Sequence, residues 1–170
     1  MTDFYIFRHG DTVETDNLLI KIFGRKRDSH GLSILPKGLP ALKRIGKYLK
    51  NIPIDANFCS PYLRCIESIK IVGNSANKKY QFDERIRELE NGNEKLIDFH
   101  KRIDNFLDEI YTKKYSAVLI CTHGAVIAAI KYLITRGNFS FLQLIDFPKP
   151  GNLIIIKNKK VYTINFNQKD

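Results

Sequence analysis

The chain opens Met1-Thr2-Asp3-Phe4-Tyr5-Ile6-Phe7-Arg8-His9-Gly10-Asp11-Thr12 (MTDFYIFRHGDT), and the fold turns on how its apolar run stops. Phe4 to Phe7 are too few for a helix and are aromatic or β-branched, so they read as a strand. Arg8, His9 and Gly10 then sit at its carboxyl end. In an open α/β sheet that edge is where ligands bind. A solvated turn that contains a histidine is the alternative, and the rest of the chain decides between them.

Two further stretches repeat the arrangement. Ala117 to Cys121 (AVLIC) is an uninterrupted apolar run, as expected of a central strand covered on both faces. Thr122-His123-Gly124 ends it, and Ala125 to Leu133 follows as a largely buried helix. Asn57-Phe58-Cys59 is a shorter strand that stops at Ser60-Pro61, where serine can cap and proline can open a helix over about Tyr62 to Gly73. Pro36-Lys37-Gly38 breaks the chain before Leu39, Leu42, Ile45 and Leu49, which recur at helical spacing. Asp98 to Tyr111 carries Phe99, Ile103, Phe106, Leu107 and Ile110 on one face. The tail reads as two strands joined by a tight turn near Asn158-Lys159. Strands alternating with helices predict an α/β fold: a three-layer α/β/α sandwich with a mostly parallel central sheet and a C-terminal β-hairpin.

Composition bounds the rest. With 170 residues, 44% hydrophobic and 27% charged, the chain is expected to fold as one domain over 1–170 with a substantial core. No run approaches membrane-spanning length and the first residues lack the zones of a signal peptide, so a cytoplasmic protein with no membrane partner is expected. Cys59, Cys65 and Cys121 are odd in number and lack metal-ligand spacing, which argues against a disulfide framework and a metal site. The net charge of +10 invites a nucleic-acid partner. Its lysines and arginines are scattered, however, over 21–27, 37–50, 78–79, 113–114 and 157–160, with no aromatic-interleaved stripe. Solvated faces with a general bias toward anionic ligands are expected instead, and no nucleic acid.

Parallel strands place their carboxyl ends along one edge, so His9, His123 and Arg64, one turn into the helix after Ser60-Pro61, can converge beside Arg8. Two guanidiniums and two imidazoles suit a tetrahedral dianion, since arginine presents a rigid donor fork and helix starts add free amides. A neutral imidazole whose other nitrogen is held by an acceptor can attack phosphorus. The departing alkoxide then needs a proton from a nearby acid, for which the stretch Asp83 to Gly92 supplies several candidates. The scheme needs neither metal nor cofactor.

Arg8-His9-Gly10, Ser60-Pro61 followed by Arg64, and Thr122-His123-Gly124, in this order and each after a strand, resemble the histidine phosphatase superfamily, the phosphoglycerate-mutase-like proteins. The resemblance runs from Phe4 to about Phe166. It implies that His9 is the nucleophile, that Arg8, Arg64, His123 and the amide of Gly124 bind the phosphoryl group, and that Glu88 is the acid/base. Relatives commonly place a phosphate-contacting asparagine six residues after the nucleophile, where this chain has Thr15; a two-residue insertion would make Asn17 its equivalent. Only residues 89–121 separate Glu88 from the third motif, where larger members insert helices over the pocket. A short lid and an open site are implied, and with them hydrolysis rather than mutase chemistry.

The resulting expectation is a metal-independent phosphomonoesterase that hydrolyses small phosphorylated substrates through a phosphohistidine intermediate. Dephosphorylation of a phosphoprotein, particularly phosphohistidine, is the alternative within the family. A catalytically silent phosphate-binding module is the alternative of another class. His30 and His100 are read as surface histidines, and the sheet edge at the terminal hairpin is a possible homodimer contact.

Overall fold

A computed structural model describes residues 1–16, 30–90 and 93–168. The elements run β1 (Asp3–Arg8), a single turn α1 (Val13–Asp16), α2 (Leu39–Leu49), β2 (Ala56–Cys59), α3 (Leu63–Ala76), β3 (Gln81–Phe82), α4 (Leu96–Thr112), β4 (Ala117–Thr122), α5 (Gly124–Arg136), β5 (Asn152–Lys157) and β6 (Lys160–Asn165). Short 3-10 turns lie at Pro36–Gly38, Glu84–Ile86 and Phe141–Ile145.

The strands form a six-stranded sheet in the order β3-β2-β4-β1-β5-β6. β1, β2, β3 and β4 are mutually parallel, and β5 and β6 add an antiparallel hairpin beside β1. Its turn is tight because Asn158 and Lys159 both take left-handed φ values, 49° and 60°. Successive side chains of a strand face opposite ways, and the two cores follow that alternation. Phe4, Ile6, Phe58, Val118 and Ile120 pack under Phe99, Ile103 and Phe106 of α4 and Val126 and Ile130 of α5. Tyr5, Phe7, Cys59, Leu119 and Cys121 pack under Leu42 and Ile45 of α2 and Ile69 and Val72 of α3. The expected three-layer α/β/α sandwich is therefore the one observed. No helix of the described residues is long and apolar enough to cross a membrane.

One expectation about local structure needs correction. α3 starts at Leu63 with Tyr62 as its N-cap, and runs on to Ala76. Ser60 and Pro61 lie outside it, and the Ser60 hydroxyl is only 3.5 Å from the Tyr62 amide because its close partner is His123, 2.7 Å away. The helix ends not at Gly73 but at Asn77, which adopts the left-handed conformation that closes a last turn.

Candidate active site

The strand register brings the three motifs level. Arg8 is paired with Thr122 across β1 and β4, and Cys59 with Cys121 across β2 and β4. Beyond those pairs the main chain stays joined: the His9 amide donates to the Thr122 carbonyl at 3.0 Å, and the Ser60 amide to the Cys121 carbonyl at 3.0 Å. Side chains that follow three separate strands thus open on one edge of the sheet.

His9 is buried, and its Nδ1 lies 2.8 Å from the Gly10 carbonyl oxygen. A carbonyl can only accept, so Nδ1 carries the proton and Nε2 keeps its lone pair. Burial, and then the charges of Arg64 and Arg8, hold the ring well below the usual imidazole range, so that it is neutral. The turn carrying it is clamped to α3: the Gly10 amide donates to Ser68 Oγ at 2.8 Å, and that hydroxyl donates to the Arg64 carbonyl at 2.6 Å.

His123 is the N-cap of α5, its ring centroid 5.3 Å from that of His9. Its Nε2 meets Ser60 Oγ at 2.7 Å, and Tyr62 packs edge-on against the ring at 5.1 Å. Burial, then Arg64, His9 and Arg8, keep this imidazole neutral as well. Arg64 is buried in the first turn of α3, its guanidinium 5.0 Å from the centroid of the Tyr62 ring. Arg8 ends β1 with its guanidinium over Phe147 at 4.8 Å and Nη1 donating to the Pro148 carbonyl at 3.4 Å. Its Nε is buried with no hydrogen-bond partner among the described residues, a donor open to an incoming acceptor.

Gly124 opens α5, whose first turn has no side-chain cap. Its amide and the next ones are orphan donors at the positive end of a helix, a place that favours anions. A Cβ at Gly124 would come 2.9 Å from Cγ of Phe147, so the absence of a side chain is what lets that ring lie against the helix start.

The glutamates of the stretch from Asp83 onward separate by environment. Glu90 accepts from the Tyr62 hydroxyl at 2.7 Å and pairs with His30 at 3.3 Å. Glu94 is bound by Arg102 at 2.6 Å and by Arg87 at 3.3 Å. Glu84 is exposed. Glu88 instead reaches inward, Oε2 lying 4.0 Å from His123 Nδ1 and Oε1 accepting from the Leu89 amide at 3.0 Å. Burial pushes its carboxyl up, against the opposing pull of Arg8, the Leu89 amide and Arg64. Its loop is held from two sides. Thr122 Oγ1 donates to the Ile86 carbonyl at 2.6 Å, and Arg102 of α4 donates to the carbonyls of Arg85 at 2.5 Å and Glu88 at 3.2 Å while gripping Glu94.

His9, His123, Arg8, Arg64, Gly124 and Glu88 are thus drawn to one place. Asn17 lies outside the described residues. Thr15 does not stand in for it: its hydroxyl donates to the Thr12 carbonyl at 3.0 Å and accepts from the Thr12 amide at 2.8 Å. From the sequence Ser60 reads only as a cap and Tyr62 only as a helix boundary, and nothing marks Ser68, Arg102 or Phe147. Their partners are far away along the chain, and no local pattern marks them. His100 pairs with Asp104 at 2.9 Å and stacks on Phe139, as a structural residue would. No cluster of three or more His, Cys, Asp or Glu among the described residues has metal-holding geometry.

Two neutral imidazoles, two guanidiniums and a helix N-terminus around one space fit a tetrahedral oxyanion. Solved structures of the same fold include Bacillus stearothermophilus YhfR, 18% identical over 99% of this chain and 100% of that one with a TM-score of 0.76. They also include the alpha-ribazole phosphatase from Shigella flexneri, 14% identical over 98% and 96% with a TM-score of 0.73. The protein histidine phosphatase SixA complexed with tungstate is 13% identical over 96% and 97%, with a TM-score of 0.68. No curated protein matches the chain in sequence. The family model for the histidine phosphatase superfamily (branch 1) covers residues 4–93 and 90–160, overlapping at the acidic loop, and on that match the chain belongs to the histidine phosphatase superfamily.

Proposed function

We propose that this protein is a metal-independent phosphomonoesterase that works through a phosphohistidine at His9. The observation that carries the reading is the 2.8 Å contact between His9 Nδ1 and the Gly10 carbonyl, which aims a neutral imidazole with a free Nε2 lone pair into a space ringed by cations. The phosphoryl oxygens are received by Arg8, Arg64, His123 and the first amides of α5. Nε2 attacks phosphorus as the bond to the ester oxygen breaks, and Glu88, whose carboxyl burial pushes up, gives its proton to the departing alkoxide. The resulting carboxylate takes a proton from water, which attacks phosphorus in turn. The P–N bond breaks, inorganic phosphate leaves, and Glu88 is again an acid.

Hydrolysis of an aryl phosphate in excess chelator tests this, with His9→Ala as the comparison. Turnover that survives chelation and disappears in the variant is expected; turnover that survives in both variant and wild type would remove His9 from the chemistry. A second reading, a phosphohistidine phosphatase acting on protein, draws support from the short span between Glu88 and β4, in which α4 is the described helix. A phosphohistidine peptide hydrolysed faster than all small esters would favour it.

A further inference from the structure

The 3-10 turn Phe141–Ile145 and the segment that follows it present several large apolar side chains to solvent. The segment is firmly held. The Ser140 amide donates to Gln143 Oε1 at 2.7 Å, and Leu144 is buried in the core that α5 helps to build. Asp146 accepts from Lys131 and from the Tyr132 hydroxyl, each at 2.6 Å, and the Pro148 carbonyl accepts from Arg8. Asp146 and the Pro148 carbonyl bind back to α5 and to Arg8, while four large apolar side chains meet water: Phe141 is 58% exposed, Leu142 76%, Ile145 71% and Phe147 37%. A lone exposed leucine means little, whereas four large apolar side chains within seven residues of a well-fastened segment mark a binding surface.

One member of that surface, Phe147, reaches the candidate active site. Phe147 touches two parts of the phosphoryl cradle, the Arg8 guanidinium at 4.8 Å and the start of α5 at Gly124. Arg8 is also the guanidinium that acts most strongly on Glu88, the group that would protonate the departing oxygen. The Phe147 ring thus flanks the cradle at Arg8 and at Gly124. The alcohol portion of a bound monoester, leaving the cradle on that side, would first meet an aromatic ring and then Ile145, Leu142 and Phe141.

We propose that Phe147, with Phe141, Leu142 and Ile145 beyond it, forms an apolar subsite that receives a hydrocarbon or aromatic segment of the substrate's alcohol, so that the preferred substrates are phosphate monoesters of apolar alcohols. This rests on the phosphatase reading for its meaning, but binding tests it without turnover. Calorimetric titration with methylphosphonate and hexylphosphonate presents one headgroup with and without a hydrocarbon tail. The hexyl compound is expected to bind about tenfold tighter. The advantage should shrink in Phe147→Ala and in Ile145→Ser, and largely persist in Phe147→Leu, which keeps an apolar surface. Ile145 is exposed and fills no core, so its variant is informative even if Phe147→Ala folds poorly.

Equal affinities for the two phosphonates overturn the proposal while leaving the phosphatase reading intact. A tenfold preference without hydrolysis of any ester upholds the subsite and overturns the phosphatase reading. A dimer in sedimentation that Ile145→Ser or Leu142→Ser dissociates, with no change in phosphonate affinity, assigns the surface to a second copy and also overturns the proposal.

Discussion

Neutral, buried histidines make the fold sensitive to mild acid. His9 and His123 are both held well below the usual imidazole range, so the native state refuses the protons that the unfolded chain accepts below about 6.5. The sign follows: their contribution is whole above that pH and is lost as the pH falls further. Each unmatched proton is worth about 1.4 kcal/mol per pH unit, so from pH 6 to 5 the pair removes about 2.5 kcal/mol. Glu88 acts oppositely. Its raised carboxyl takes a proton in the native state before the unfolded chain does, returning part of that loss. Glu90, Glu94 and Asp146 are shifted downward, so their losses begin as the pH enters the ordinary carboxylate range and fall mostly below this window. The net fall is therefore below about 2.5 kcal/mol, or below about 1.2 M in urea midpoint for an m-value near 2 kcal/mol/M. Urea unfolding in a phosphate-free buffer at pH 7, 6 and 5 measures it. His9→Gln should flatten the drop by about 1.2 kcal/mol and Glu88→Gln should steepen it. A midpoint that stays constant from pH 6 to 5 in the wild type, or a His9→Gln profile that overlays it, refutes the neutral-histidine argument.

Three further outcomes are expected. Glu88→Gln should slow alkyl phosphates by about 10²–10⁴-fold yet scarcely affect p-nitrophenyl phosphate, whose leaving group needs no proton; equal slowing of both rejects Glu88 as the donor. Ser68→Ala leaves the buried Gly10 amide without its 2.8 Å acceptor and should cost about 1–3 kcal/mol in urea unfolding, with a lower kcat as the turn carrying His9 loosens. Gly124→Ala drives a methyl group to 2.9 Å from Phe147 and should cost about 1–3 kcal/mol while weakening inhibition by inorganic phosphate; unchanged inhibition would detach Phe147 from the cradle.

Those elements whose burial is uniform were the easiest to read. AVLIC became β4, buried along its whole length, and Phe4 to Phe7 became the middle of β1. β3 was missed because Gln81 and Phe82 are two exposed residues that carry no period at all. The start of α3 departs from the local pattern because Ser60, a cap by sequence, answers instead to His123 after another strand. The same limit applies at the site. Motifs after strands foretold that Arg8, His9, Arg64 and His123 would gather, since sheet topology alone brings strand ends together. What separates Glu88 from Glu90 and Glu94 is the identity of their partners, Tyr62, His30 and Arg102, which only the folded chain supplies. Phe147 escaped notice for the same reason, lying far along the chain from the arginine it covers.

Arg102 gives a way of recognising this arrangement in other chains. Its fork holds the carbonyls of Arg85 and Glu88 and the carboxylate of Glu94 at once, a pattern of directions that a lysine ammonium on a flexible stem cannot reproduce. The acidic loop is thus fastened to α4 as well as to β4, and its geometry depends on a side chain seventeen residues from Arg85 along the chain. With Glu88 as the proposed acid, a damaging change at position 102 would therefore imitate the loss of that carboxyl in a genetic screen. In a distant relative whose acidic loop is hard to align, an arginine in the first two turns of the following helix would point back to it.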